Sequence, residues 1–194
     1  MSKRPLTAGE IALARAVFGD SVDYAAVRLH NRRILPPLMQ HKHQAVANGN
    51  NISFPRSSYS EDFATEHDAL KQSVFIHEMT HVWQHQNKVV STPKEALKET
   101  LRHKFNYSKA YPYQLGGGRD LIDYGFEQQA ALVQDYFLLT RHNTAASFKH
   151  RRQDTRTPQD LTALKRDYET VLARFLKNPA YARGGRKCFK PPQP

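Results

Sequence analysis

One cysteine, Cys188, stands in a chain of 194 residues, so no internal disulfide can form. There is no apolar run of the length a membrane span needs. A secretory signal is also missing. Met1-Ser-Lys-Arg is basic, but the apolar stretch behind it is interrupted by Glu10 and Arg15 and lacks a small-residue cleavage site. The expectation is a protein that is cytoplasmic in its producer and, if it acts elsewhere, is carried there by a machine other than the general secretory route. Acidic residues are few, 18 against 29 Lys and Arg, for a net charge of +11. The imbalance is late: from Arg141 onward thirteen basic residues face four acidic ones, a net of +9. Such a surface suits nucleic acid, an anionic envelope or an acidic partner, and it also serves plain solubility. No nucleic-acid-binding motif accompanies it, and no internal repeat is visible.

What is present is centred on Val74 to Gln86, V-F-I-H-E-M-T-H-V-W-Q-H-Q, which contains the H-E-x-x-H motif His77-Glu78-Met79-Thr80-His81. Four residues is a little over one helical turn, so His77 and His81 project from one face and both imidazoles can reach one ion, expected to be zinc. Glu78, one residue further on, lies beside the metal, where it can accept a proton from water as general base. Zinc lowers the pKa of a bound water to about 7 and polarises a carbonyl, so the reaction class is hydrolysis, most often of a peptide bond. Five characters recur by chance, and two surface histidines beside a glutamate would look the same. The setting favours the site: Phe75, Ile76, Met79, Val82 and Trp83 give a helical apolar pattern, with no Pro or Gly from Ala69 to Asn87.

A third protein ligand separates the families of such sites. The metzincin extension requires glycine at position 84 and histidine at position 87, and this chain has Gln84 and Asn87. His85 continues the i, i+4 series but lies about 12 Å along the axis from His77, too far for ligands that sit about 2 Å from zinc. It reads as a residue supporting the ligands or packing. Later, Phe126, Ala130, Val133 and Phe137 form one helical core face with Glu127 beside it in the first turn. A carboxylate half inside a core is costly unless paired or bound to metal, so Glu127 is the expected third ligand, in a His, His, Glu set. The alternative is an acid that merely complements the helix dipole.

The other elements follow in order. Thr7-Ala-Gly-Glu10 is a capping box for a helix that Gly19 ends, and Val27 to Arg32 alternates as a strand. Leu38 to Asn51 reads as loop and Asn51 to Pro55 as a second strand. One of these strands is expected to be the sheet edge along which an extended substrate lies. His30, His41, His43 and His67 lack the spacing that would group them. Thr92-Pro93-Lys94-Glu95 opens a helix to about Lys104, and Gly116-Gly117-Gly118, without a Walker lysine, reads as a flexible connection. Thr157-Pro158-Gln159-Asp160 opens a last helix with Leu161, Leu164, Tyr168, Val171, Leu172 and Phe175 as its core stripe.

The segments L-T-x-G-E-I-A-L-A-R-x-V-F-G, F-I-H-E-M-T-H-V-W-Q-H-Q and Y-G-F-E-Q-Q-A with D-Y-F resemble the vgr-related metallopeptidase proteins of bacterial type VI secretion. These are similar to the metallopeptidase domain at the C-terminus of some VgrG spike proteins. The resemblance spans about Leu6 to Phe137 and independently suggests Glu127 as a ligand. It implies a zincin-like antibacterial effector or toxin, secreted without a Sec signal and acting in the target-cell periplasm. Its implied partners are a protein or peptide substrate, an immunity protein and components of the secretion spike. One departure stands out: where thermolysin-like enzymes have an aspartate four residues after the ligand glutamate, this chain has Ala131.

The combined expectation is an α+β, mainly helical, zincin-like metallopeptidase domain over residues 1–178, with an HExxH helix, a small sheet and a second helix carrying the third ligand. A basic Pro/Gly-rich tail follows over 179–194. His77, His81 and Glu127 would bind zinc, Glu78 would be the base, and Tyr111, Tyr113 or Tyr124 would stabilise an oxyanion. Two other classes stay open on the sequence. One is a nonenzymatic zinc-containing accessory or adaptor of the secretion apparatus. The other is a DNA-associated HExxH protease.

Overall fold

The computed structural model describes residues 3–33, 45–89, 112–145 and 160–184. The architecture is α+β and mainly helical, with one small sheet. The strands are β1 (Lys3–Pro5), β2 (Arg28–Asn31), β3 (Val46–Asn48) and β4 (Asn51–Phe54), in spatial order β1-β2-β4-β3. β1 and β2 are antiparallel, β2 and β4 parallel, and β3 and β4 antiparallel. The helices are α1 (Ala8–Phe18), α2 (Ala69–Gln86), α3 (Phe126–His142) and α4 (Leu161–Lys177).

Two expectations about the sheet are corrected. Residues 46–48, expected to be loop, form β3, because Asn48 pairs with Asn51 across a two-residue turn. Gly49 takes φ 61° in that turn, a value that glycine reaches without steric cost. The second correction follows from the first. β2 and β4 are both inner strands, so the edges are β1 and β3, and it is β3 that packs beside α2.

Helix limits follow local chemistry. The Thr7–Glu10 box is formed: the Glu10 amide donates to Thr7 Oγ1 at 3.0 Å and the Thr7 amide to Glu10 Oε2 at 2.9 Å. The same buried carboxylate takes two bonds of 2.8 Å from Arg4 and one of 3.0 Å from the Phe63 amide, so it ties β1, α1 and the chain before α2 together. Asp68 caps α2 through the Leu70 amide at 2.8 Å. Asp160, not Thr157, caps α4, through the Thr162 amide at 2.8 Å, and Thr157 lies outside the described residues. The helix expected from Thr92 to Lys104 also lies outside them.

α2 runs through the middle of the core. Phe75, Ile76, Met79, Val82 and Trp83 have no exposed surface, with Phe75 stacked on Phe63 and Trp83 edge-on to Phe175 of α4. α3 packs along α2 on one side and against α4 on the other. Burying α2 on all sides from Phe75 to Gln84 is what forces the polar side chains there to find partners inside the protein. At the C-terminal end of α2 the Trp83 indole donates to the Pro179 carbonyl at 2.9 Å, and the Gly184 amide donates to the Asn87 carbonyl at 2.9 Å. No helix among the described residues is long and apolar enough to cross a membrane.

Candidate metal centre

His77 and His81 lie one turn apart on α2, with ring centroids 5.0 Å apart and nearly perpendicular planes. Glu127 enters from the first turn of α3. Its Oε2 stands 3.5 Å from His77 Nε2 and 3.3 Å from His81 Nε2. The three ligating atoms lie within 4.8 Å of one another, the only such group of three among the described residues. His81 is held flat by Phe126, whose ring stacks on it at 4.4 Å, so the residue before Glu127 fixes one of the imidazoles that Glu127 faces. The α2–α3 contact therefore sets the geometry of the whole cluster.

The electrostatics show what the cluster needs. Burial by itself would lower the His81 pKa, but the charges of Glu127 and Glu78 overcome it and push the value up to about 9. Burial would raise the Glu127 pKa, yet His81 and His77 hold it well below the ordinary carboxylate range. Two imidazoles and a carboxylate converging in a low-dielectric space demand positive charge, from protons on the rings or from a cation. Glu127 Oε2 is buried and has no hydrogen-bond partner among the described residues, despite the two nitrogens beside it. A buried carboxylate oxygen without a donor is rare and costly, and a metal ion answers it. Two imidazole nitrogens and one carboxylate oxygen form a donor set of the kind zinc takes, so these residues fit such an ion.

Glu78 lies beside this cluster and is also buried. Burial pushes its pKa up, while His81 and His77 pull it down and the Ala47 backbone of β3 adds to that lowering. Its Oε2 has no hydrogen-bond partner among the described residues. Glu78 thus lies where α2 packs against β3.

The outer partners of the histidines were not anticipated. His77 Nδ1 meets Gln134 Oε1 at 2.9 Å, and His81 Nδ1 meets Gln84 Oε1 at 2.8 Å. Gln134 on α3 and Gln84 on α2 thus stand behind the two rings. His85, expected to support the ligands or pack, is instead exposed near Gly49. Ala131 is buried in the core. The sequence did hold one hint: a glutamine on the helix turn after His81 falls where an imidazole on that face can reach it.

The tyrosines expected to face an oxyanion are committed elsewhere. The Tyr113 hydroxyl donates to Asp135 and meets that of Tyr168, all three buried between α3 and α4. The Tyr124 hydroxyl donates to the Gln114 carbonyl at 2.9 Å, with the Arg119 guanidinium over its ring. Tyr111 lies outside the described residues, as do His41 and His43. His30 sits in β2, bonded to Asn51 at 2.9 Å, and His67 is exposed. Neither joins the cluster. Gly116, Gly117 and Gly118 all take positive φ, from 66° to 97°, in the connection leading to α3.

No protein-family profile matches the chain. It is 41% identical over 136 residues to the type VI secretion system spike protein VgrG2b of Pseudomonas aeruginosa, a match that covers 70% of this chain but only 13% of VgrG2b. Among solved structures it matches the effector domain of Pseudomonas aeruginosa VgrG2b with a TM-score of 0.64 and 34% identity, covering 89% of this chain and 83% of that one. With that identity over most of both chains, this protein belongs to the family of the VgrG2b effector domain.

Proposed function

We propose that this chain is a zinc metallopeptidase of the gluzincin type, with a zincin-like fold, that serves as an antibacterial type VI secretion effector in the periplasm of the target cell. The observation that carries the hydrolase reading is the buried, donorless Oε2 of Glu127 facing the Nε2 atoms of His77 and His81. Kinship with the VgrG2b effector domain supports the secretion role, and the relative's name associates it with the spike.

His77, His81 and Glu127 would hold the zinc. The ion, when bound, supplies a Lewis acid that polarises the scissile carbonyl and acidifies a water. Glu78 takes the proton of the attacking water on its carboxylate and passes it to the departing amine. Among the described residues β3 is an edge strand beside that carboxylate, where an extended peptide can add as a further strand.

The test compares two compartments. Expression in the bacterial cytoplasm should be tolerated, whereas the same chain behind a periplasmic signal peptide should inhibit growth. Glu78→Gln sent to the periplasm should be tolerated. Equal toxicity of the wild type and Glu78→Gln would overturn the enzymatic reading in favour of a nonenzymatic adaptor. Toxicity confined to the cytoplasm would overturn the periplasmic one and favour an intracellular, DNA-associated target.

A further inference from the structure

Two hydrogen-bond chains run outward from the imidazoles, and each ends on backbone carbonyls, which can only accept. Behind His81, the Gln84 amide nitrogen donates to the Phe126 carbonyl at 2.9 Å and to Gln129 Oε1 at 2.9 Å. Gln129 is itself oriented, since its nitrogen donates to the Tyr124 carbonyl at 2.8 Å. Both hydrogens of Gln84 are thereby committed, and its oxygen must be the atom facing His81 Nδ1.

Behind His77 the logic repeats with different residues. The Ser73 hydroxyl donates to the Leu70 carbonyl at 2.9 Å, which uses its single hydrogen. Ser73 Oγ can then only accept, and it accepts from the Gln134 amide nitrogen at 3.1 Å. Gln134 therefore presents its oxygen to His77 Nδ1.

An amide oxygen carries no hydrogen, so each Nδ1 must supply one. A neutral imidazole has a single N–H, and the lone pair is left on Nε2. Those Nε2 atoms are the ones that converge on Glu127. Ser73, Gln84 and Gln129 are buried, and Gln134 is half-buried.

We infer that Ser73 with Gln134, and Gln84 with Gln129, are positioning residues that fix the tautomers of His77 and His81 so that both Nε2 lone pairs face the metal centre. The inference rests on the proposed reading of that centre. Carboxamides do this without adding negative charge.

The experiment measures zinc affinity by competition with a chromophoric chelator, together with two-bond nitrogen–proton NMR of the zinc-loaded protein to find which ring nitrogen bears hydrogen. In the wild type both histidines should carry it on Nδ1. Gln134→Leu should weaken zinc binding by about 10- to 100-fold, the usual range for a lost partner behind a ligand. Gln134→Glu keeps an acceptor facing Nδ1 and should restore the affinity. Ser73→Ala, which only frees the amide to turn over, should lose less than Gln134→Leu. Equal losses in the Leu and Glu variants, or hydrogen on Nε2 of either histidine, would overturn the inference. If the wild type takes up no zinc, the proposed function falls. The tautomers of the metal-free rings, read where both imidazoles are neutral, still decide the relay.

Discussion

α3 carries two carboxylates eight residues apart, Asp135 buried and Glu127 half-buried, and they have opposite surroundings. Asp135, 2% exposed, accepts from the Tyr113 hydroxyl, and that hydroxyl in turn meets Tyr168 of α4. Glu127 faces α2, and what meets it there is the Nε2 edge of two imidazoles whose Nδ1 atoms are already committed. Both acids are desolvated, a state that costs several kcal/mol for an ionised group left unpaired. The Asp135 end answers that cost with hydroxyl hydrogens from the chain itself. At the Glu127 end the groups facing the carboxylate are two imidazoles, an arrangement that calls for added positive charge, from protons on the rings or from a cation. Glu10, with its two bonds from Arg4 and two from backbone amides, belongs with Asp135. Burial of an acid is therefore uninformative by itself, and the character of the facing groups separates support from chemistry.

The sharpest way to break this contrast is Glu78→Gln, which preserves shape and both histidines. Hydrolysis should fall by about 10²- to 10⁴-fold, the usual contribution of a general base, while zinc content and melting temperature hold. Metal analysis and a turnover assay on the same preparation check it, and retained turnover removes Glu78 as base.

Next in size is the exchange between the two ends of α3. Glu127→Ala should reduce zinc affinity by more than the roughly 100-fold upper range of a lost outer partner, because a direct ligand goes. Asp135→Ala should keep zinc and instead lose about 1–3 kcal/mol of stability, since the Tyr113 hydroxyl is left buried without its acceptor. Asp123→Ala disturbs only a cap on the turn before α3, where the Asp120 amide donates to Asp123 Oδ2 at 2.9 Å, and should also keep zinc. Chelator competition and thermal unfolding read the pair together. Zinc lost from Asp123→Ala and retained in Glu127→Ala would displace Glu127 as ligand.

Much of this frame could be read from residue order. The Thr7–Glu10 box, the helices around His77 and Phe126, and the stripe from Leu164 to Phe175 follow from capping chemistry and a 3.6-residue period, and each is found. The i, i+4 histidines and Glu127 could be named in advance, and the fold brings their ligating atoms together. What stayed hidden depends on pairing between distant segments. β3 is only three residues long, and Asn48-Gly49 was its one signal, so the sheet edge was assigned to inner strands. The roles of Gln84 and Gln134 could not be read in advance, because a carboxamide shows its role only when its partners are known. Tyr113 looked free for catalysis because its partner Tyr168 is 55 residues away. Local rules give elements and faces, whereas hydrogen-bond roles come from tertiary closure.

The smallest effect sharpens the structural half of the comparison. Tyr113 has one hydroxyl hydrogen and gives it to Asp135, so it can only accept from Tyr168. The two hydroxyls are therefore unequal. Tyr113→Phe deprives a buried carboxylate of a donor and should cost about 1–3 kcal/mol. Tyr168→Phe keeps the edge-on ring contact with Tyr113 at 6.4 Å and removes a donor to a hydroxyl that still has its acceptor. Its cost should be nearer 1 kcal/mol, the net worth of an ordinary hydrogen bond, or about 2–4 °C in melting temperature for a chain of this size. Neither change should alter zinc affinity, because neither residue is bonded to His77, His81, Glu127 or the amides behind them. Thermal unfolding ranks the two variants, and chelator competition checks the metal. If Tyr168→Phe proved the costlier, the direction of the relay would be reversed. If either substitution weakened zinc binding, the two ends of α3 would be coupled, and the separation drawn between Asp135 and Glu127 would fail.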